Sequence, residues 1–207
     1  MAESDRIQTG IYGLDQIFLG GILRGNVILV EGSVGTGKTL LGVEFIYRGI
    51  TEHDEPGIIV VFETSPAKLI RDTAGFGWNL DELQQRNKLK IIFTSPQVLD
   101  QELRSPESLL LETSAGIGAQ RIFIDGISLL HTLATGNGTS GNGAASYRQL
   151  LQQFIGGLQR ENLTALLSHE ILGHEAQSSA LGVAEFLADT VIILKRVEHH
   201  RSIHRSL

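Results

Sequence analysis

The residues whose types and spacing most clearly indicate a chemical role form one glycine-rich stretch with the pattern G-x-x-x-x-G-K-T. In order they are Gly32, Ser33, Val34, Gly35, Thr36, Gly37, Lys38 and Thr39, and they lie between an apolar run and a helical pattern. Glycine admits backbone conformations that are closed to other residues, so successive N–H groups can turn toward phosphate oxygens at a helix N-terminus. The pattern therefore predicts a phosphate-binding loop, or P-loop.

The side chains at the end of this loop indicate which phosphate compound it takes. Lys38 would bring a positive charge to the outer phosphates of a nucleotide, and the Thr39 hydroxyl would ligate Mg²⁺. Leu40 completes the set of residues expected to contact the nucleotide. We predict a site for ATP and Mg²⁺.

Two other interpretations of the loop fit less well. A glycine-rich turn with an incidental lysine would also satisfy the pattern, but it would not require the strand before the loop and the helix after it. A dinucleotide fingerprint, G-x-G-x-x-G, could begin at Gly35 and Gly37, but its last position would be Leu40, and Lys38 would have no role.

Two acidic residues at the ends of predicted strands are candidates for the chemistry beside the loop. Asp125 could hold Mg²⁺ opposite Thr39, or it could cap a turn. Ligands of open parallel sheets collect at the carboxyl ends of strands, so Glu63 is the candidate catalytic carboxylate that orients or deprotonates an attacking water. The alternative for Glu63 is a solvated acid at the start of the helix that follows Ser65.

Short β-rich runs alternate with longer helical patterns, which predicts crossover units in a mainly parallel sheet with helices on both faces. Most candidate strands lack polar alternation, as strands covered on both faces should. These strands are 26–30, 58–62, 89–93, 121–124, 164–167 and 191–194. His169 and Glu170 follow one of them and could sense the terminal phosphate or a neighbouring subunit, or they could simply be loop residues.

Local signals place several boundaries. Ser65 before Pro66 and Ser105 before Pro106 each offer an N-cap hydroxyl and then a proline, so a helix should begin at each pair. Apolar residues at helical spacing predict an amphipathic helix over 144–160. The segment 197–207 is expected to be an edge strand or a hairpin arm, and 135–143 is expected to be a surface loop.

The composition of the chain indicates its cellular compartment and which classes of partner to expect. The formal net charge is −6, which offers no electrostatic footprint for nucleic acid or anionic lipid. There are no cysteines, the first ten residues do not resemble a targeting peptide, and no apolar run reaches membrane-spanning length. We expect a cytoplasmic protein that binds neither nucleic acid nor membrane.

Several short segments around these residues form a combination that spans nearly the whole chain. They are TGI at 9–11, GLD at 13–15, GGI at 20–22, RG at 24–25, the loop, Glu63 with Ser65 and Pro66, FGW at 76–78, the Asp125 strand, and EFLAD at 185–189. Together they resemble KaiC-like domains of the RecA/RadA superfamily of P-loop ATPases.

This resemblance implies a RecA-like P-loop NTPase core, with a mainly parallel twisted sheet and ATP bound at subunit interfaces. It also implies a homo-oligomer, often a ring of six, whose members can autophosphorylate on Ser or Thr. We accordingly expect one KaiC-like ATP-binding domain over residues 1–207, with nucleotide-dependent assembly and weak ATP hydrolysis.

The chain departs from the family pattern in two places. Family members usually carry two adjacent acids where this chain has Glu63 and Thr64, so only Glu63 is carried over as the catalytic carboxylate. The family usually continues into a Lys-x-Arg segment that reaches the neighbouring subunit's ATP, whereas this sequence stops at Leu207. Both departures predict slow hydrolysis by this chain, either as a piece of a longer protein or as one without that contact.

Three alternative functions remain. The nearest is a regulatory module in which ATP occupancy sets assembly and turnover is incidental. A P-loop kinase would want a basic lid, and a RecA-type recombinase would want basic or aromatic loops facing a nucleic-acid strand. The loop 135–143 contains no Lys, Arg or aromatic residue, so both rank lower.

Overall fold

The computed structural model describes residues 5–105, 108–131, 143–171, 182–199 and 202–206. Most of the segment predicted as a surface loop, residues 135–142, lies outside these ranges. Within the described ranges, no helix is both long enough and apolar enough to cross a membrane.

Helices and strands alternate along most of the chain. The strands are β1 (Arg6–Ile7), β2 (Ile22–Leu23), β3 (Val27–Gly32), β4 (Gly57–Val61), β5 (Leu89–Phe93), β6 (Arg121–Asp125), β7 (Thr164–Glu170), β8 (Thr190–Ile193), β9 (Lys195–His199) and β10 (Ser202–Ser206). The α-helices are α1 (Leu14–Ile17), α2 (Lys38–His53), α3 (Pro66–Ala74), α4 (Leu80–Gln85), α5 (Pro96–Arg104), α6 (Leu109–Ile117), α7 (Gly143–Arg160) and α8 (Gly182–Leu187). A short 3₁₀ turn, Ile127–Leu129, follows β6.

The central element is a six-stranded sheet with the order β5-β4-β6-β7-β3-β8. All its neighbouring strands are parallel, which confirms the predicted mainly parallel sheet. Every residue of β3 and β4 is buried, as expected for strands made mostly of apolar residues and covered on both faces. All six predicted strands are present with boundaries shifted by no more than a few residues.

Each face of the sheet carries its own hydrophobic core. On one face, side chains of α2, α3 and α4 pack against Ile28, Val30 and Phe123. On the other face, side chains of α5, α6, α7 and α8 pack against Leu29 and Leu167. The alternation of side chains along each strand produces this division, and it confirms the prediction of helices on both faces.

Serine caps begin three of the helices, but one predicted start is wrong. The Ser65 hydroxyl accepts a hydrogen bond from the Lys68 N–H, as the Ser-Pro signal predicts. Ser105 instead ends α5, where its N–H donates to the Gln101 carbonyl and its backbone is extended. The helix that follows is capped by Ser108, and the serine before Pro96 begins α5. Ser95 and Pro96 carry the same Ser-Pro signal, although no helix start was predicted there.

The segment predicted as an edge strand or hairpin arm, 197–207, overlaps two antiparallel strands. β9 pairs with β10 in a separate two-stranded sheet, with His199 opposite Ser202 and Lys195 opposite Ser206.

A buried ion pair lies between the sheet and α2. Arg121, at the start of β6, is fully buried; its Nε donates to the Glu55 carboxylate at 2.8 Å, and its guanidinium lies over the Phe45 ring. Glu55 also accepts from Arg24 at 2.6 Å. Burial lowers the pKa of Arg121, and Glu55 opposes that shift. Arg121 depends on Glu55 for charge compensation.

Glu55→Gln is expected to lower the free energy of unfolding by about 3–5 kcal/mol, because it leaves the buried Arg121 charge uncompensated. The matched change Glu52→Gln breaks a partly exposed pair with Arg48 and should cost no more than about 1 kcal/mol. Urea unfolding of the two variants checks this, and equal losses would contradict it.

Candidate nucleotide-binding site

The predicted P-loop joins β3 to α2 in the expected way. Gly35 and Gly37 have φ values of 77° and 105°, a left-handed conformation that residues with a Cβ rarely adopt. Gly37 is the N-cap of α2 and makes no side-chain capping bond, and the first turn of α2 carries no acidic residue. The first N–H groups of this helix are therefore suited to an anion.

The remaining loop residues divide into buried and exposed ones. Ser33 and Val34 are exposed, whereas Thr36 is buried and donates its hydroxyl to the Ser33 carbonyl at 2.9 Å. A Cβ on Gly32 would come within 2.6 Å of the Thr36 hydroxyl and 2.7 Å of the Leu194 carbonyl oxygen. The loop therefore begins in a space that only glycine fits. Leu40 is half-buried in the first turn of α2.

Lys38 lies across the beginning of the loop. Its Nζ donates to the carbonyl oxygens of Gly32 at 2.7 Å and Ser33 at 2.9 Å. Burial lowers the pKa of Lys38, while the negative charges of Glu170 and Asp125 oppose this shift. These two hydrogen bonds hold the ammonium group beside the start of the loop.

The two predicted metal ligands are in direct contact. The Thr39 hydroxyl donates to Asp125 Oδ2 at 2.9 Å. The other carboxylate oxygen, Oδ1, accepts from the Ser168 hydroxyl at 2.7 Å, and the Gly126 N–H donates to Ser168 Oγ at 2.7 Å. A hydroxyl and a carboxylate are oxygen ligands of the kind that Mg²⁺ takes when it retains several waters, so the pair fits this ion.

The order of the strands in the sheet explains why Thr39 and Asp125 are in contact. β7 lies between β3, which leads into the loop, and β6, which ends at Asp125, so all three end at one edge of the sheet. Ser168 on β7 bridges the gap to Asp125. Ser168 was not predicted as a site residue; its signal in the sequence is a hydroxyl that follows three apolar strand residues.

Glu63 lies two residues beyond β4, the strand beside β6. Its side chain is exposed and makes no hydrogen bond or ion pair with the part of the chain that the structure describes. The cap of α3 is the Ser65 hydroxyl, so Glu63 does not take the role of the capping acceptor. It lies at the same edge of the sheet as Asp125 and the loop.

His169 and Glu170 are strand residues rather than loop residues. They end β7 and lie opposite Glu31 and Gly32 in the register with β3. The Glu170 N–H donates to the Ser128 hydroxyl at 3.1 Å. Glu170 is the acid whose charge most strongly opposes the lowered pKa of Lys38, so it belongs to the surroundings of the loop.

A parallel sheet with helices on both faces, a glycine-rich loop between β3 and α2, and a carboxylate at the end of β6 together define a RecA-like P-loop ATPase domain. Comparison with known sequences agrees: the model of the family described as "ATPase: KaiC" matches residues 7–207. The chain belongs to the KaiC ATPase family.

Individual relatives extend this result. The chain is 33% identical over 201 residues to the circadian clock oscillator protein KaiC of Prochlorococcus marinus (strain MIT 9313), covering 94% of this chain and 39% of the relative. It is 35% identical over 202 residues to the KaiC protein of Thermostichus vulcanus, covering 95% of this chain and 38% of the relative. It is 33% identical over 199 residues to the KaiC protein of Nostoc sp. (strain PCC 7120), covering 93% of this chain and 37% of the relative. The chain spans less than two fifths of the length of these relatives.

Proposed function

We propose that this chain is a cytoplasmic, Mg²⁺–ATP-binding KaiC-family ATPase domain that hydrolyses ATP slowly and assembles in a nucleotide-dependent way. The observation that carries the proposal is the direct contact between Thr39 and Asp125 beside Lys38. A hydroxyl, a carboxylate and an ammonium group at the start of a P-loop helix are the groups that a metal-bound triphosphate requires.

Each part of the site has a role in this proposal. The backbone N–H groups from Ser33 to Lys38 would bind the phosphates of ATP, and the Lys38 ammonium, which now donates to the loop carbonyls, would supply positive charge to them. Thr39 and Asp125 would hold Mg²⁺, which would supply positive charge to the phosphates. Ser168 keeps the Asp125 carboxylate oriented, as groups behind a metal ligand commonly do.

Asp125→Asn and Thr39→Ala should remove most of the gain in affinity that Mg²⁺ gives to ATP binding. Both changes delete a metal ligand and leave the phosphate-binding N–H groups intact, so a loss of about tenfold or more is expected with Mg²⁺ and little loss without it. Titration of a fluorescent ATP analogue with Mg²⁺ and with a chelator measures the difference. Asp81→Asn, on the exposed side of α4, is the control. Equal losses under both conditions would remove these residues from the metal site.

Hydrolysis is assigned to Glu63, whose exposed carboxylate can accept a proton from an attacking water. Thr64 follows it where KaiC-like domains usually have a second acid, which supports slow rather than rapid turnover.

The proposal of assembly rests on the family resemblance, which implies a ring, often of six. A second copy of this chain is the partner that we propose.

A second candidate function is a regulatory module in which bound ATP controls assembly without significant turnover. The replacement of the second acid by Thr64 is the observation that favours it.

Two measurements on the same sample separate these functions. We expect slow, Mg²⁺-dependent release of phosphate from ATP, together with a larger mass in the presence of ATP than in its absence. Assembly without phosphate release would favour the regulatory module. If the sample showed no assembly and released no phosphate, both functions would be contradicted.

A further inference from the structure

The buried hydroxyl of Ser168 gives the two oxygens of the Asp125 carboxylate different partners. Ser168 is 1% exposed, and its hydroxyl donates to Asp125 Oδ1 at 2.7 Å. The same hydroxyl oxygen accepts the Gly126 N–H at 2.7 Å, and because a serine hydroxyl has a single proton, that proton is committed to Oδ1. The other carboxylate oxygen, Oδ2, accepts from the Thr39 hydroxyl at 2.9 Å. Asp125 therefore has one oxygen on the Thr39 side and one held from behind.

Ser168 has little freedom to follow the carboxylate if it turns. It lies on β7, where it is opposite Val30 of β3, and β7 pairs on its other side with β6. Every residue of β7 before Glu170 is buried. If Asp125 turned both oxygens toward a metal ion, Oδ1 would leave Ser168, and a buried hydroxyl would lose its acceptor at a cost in free energy. The serine therefore favours coordination through one carboxylate oxygen.

The number of oxygens that Asp125 offers matters because the site has few other protein ligands. In the part of the chain that the structure describes, no group of three or more His, Asp or Glu side chains could hold a metal ion. Mg²⁺ takes about six oxygens in an octahedron, usually one or two carboxylates together with waters and phosphates, whereas Ca²⁺ takes about six to eight and readily binds both oxygens of one carboxylate. A carboxylate restricted to one oxygen suits Mg²⁺ better than Ca²⁺.

The spacing of the two proposed ligands favours the same ion. Adjacent ligands of an octahedral ion are separated by the metal–oxygen distance multiplied by the square root of two. This separation is about 2.8–3.0 Å for Mg²⁺ and about 3.3–3.7 Å for Ca²⁺. The Thr39 hydroxyl oxygen and Asp125 Oδ2 are 2.9 Å apart. Because Ser168 holds Asp125 from behind, the pair is kept at the spacing that fits the smaller ion.

We propose that Ser168 is a specificity-determining residue, which makes the site take Mg²⁺ in preference to Ca²⁺ by holding Asp125 to one metal-facing oxygen. This inference rests on the proposed binding of Mg²⁺–ATP and goes beyond it. A serine that only oriented Asp125 would support both ions to the same degree. A serine that restricts the carboxylate to one oxygen disfavours Ca²⁺ specifically.

The test measures the affinity of the chain for a non-hydrolysable ATP analogue in saturating Mg²⁺, in saturating Ca²⁺ and with a chelator as the metal-free reference. The deciding quantity is the ratio of the affinity in Mg²⁺ to the affinity in Ca²⁺. The unaltered chain should bind the analogue more tightly in Mg²⁺. Ser168→Ala frees Oδ1 to face the ion and should lower this ratio by about tenfold, the scale for losing a group behind a metal ligand.

Two further variants separate this role from a general loss of structure. Ser168→Thr keeps the hydroxyl and should keep the ratio of the unaltered chain. Ser128→Ala is the matched control, because the Ser128 hydroxyl also accepts a backbone N–H at this edge of the sheet, that of Glu170 at 3.1 Å, but does not hold the Asp125 carboxylate. Its ratio should also be unchanged.

Ser168→Cys provides a second measurement if Ser168→Ala does not fold, which thermal unfolding checks. A thiol is a weaker donor than a hydroxyl, so this variant should lower the ratio in the same direction, by less than Ser168→Ala.

Each outcome bears on the inference. The same ratio in the unaltered chain and in the Ser168→Ala or Ser168→Cys variant, or an equal loss of affinity in Mg²⁺ and in Ca²⁺, would overturn it and leave the proposed ATP site standing. An unaltered chain that binds the analogue equally well with either ion would also overturn it. A failure of the unaltered chain to bind the analogue in Mg²⁺ would overturn the proposed function as well.

Discussion

Lys38→Ala is expected to weaken binding of an ATP analogue by about 10- to 100-fold, the range for losing a hydrogen bond to a charged group. Lys38 is the cation at the start of α2, and its ammonium already lies against the Gly32 and Ser33 carbonyls at the beginning of the loop. Its side chain is not part of either hydrophobic core, so the variant should fold normally. Fluorescence titration gives the affinity, and thermal unfolding gives the check on folding.

Lys68→Ala is the matched control for this change. Lys68 lies on α3 and pairs with Asp72 on the surface, so removing it deletes one positive charge without touching the loop. Its variant should bind the analogue as the unaltered chain does. Equal affinity in Lys38→Ala and Lys68→Ala would remove Lys38 from the phosphate site.

The second large effect is expected on turnover rather than on binding. Glu63→Gln should lower the rate of ATP hydrolysis by about 10²- to 10⁴-fold, the usual scale for losing a general base, while the affinity for the analogue changes little. The amide keeps the size of the side chain but cannot take a proton from water. Steady-state phosphate release and analogue titration on one preparation measure both quantities.

Glu161→Gln is the control for Glu63, because Glu161 is also an exposed acid and follows α7 at the opposite edge of the sheet. Its turnover should equal that of the unaltered chain. An unchanged rate in Glu63→Gln would leave Glu63 as a solvated acid without a catalytic role, and the interpretation as a regulatory module would gain support.

The sequence predicts those features of the fold and the site that are encoded locally. The glycines of the loop, the apolar run that ends at Asp125 and the Ser65 cap each depend on residues that are close together in the chain. The Ser105 prediction failed because the Ser-Pro signal does not tell whether the preceding helix has already ended, and here Ser105 itself ends α5.

Contacts that depend on the order of strands could not be predicted in this way. Ser168 reaches Asp125, and Glu31 reaches His169, only because β7 lies between β6 and β3. Nothing in the local pattern of these residues specifies that order. Glu31 looks like the polar end of a buried strand, and only the register of β3 with β7 shows that it lies against His169.

The central claim is that the loop from Gly32 to Thr39 holds a Mg²⁺-bound triphosphate. Calorimetric titration of the unaltered chain with a non-hydrolysable ATP analogue, with Mg²⁺ and then with a chelator, tests it most directly. We predict one nucleotide bound per chain, an affinity that falls when Mg²⁺ is removed, and displacement of the analogue by ATP. Absence of binding up to about millimolar analogue, where the binding free energy is only about −4 kcal/mol, would contradict the claim.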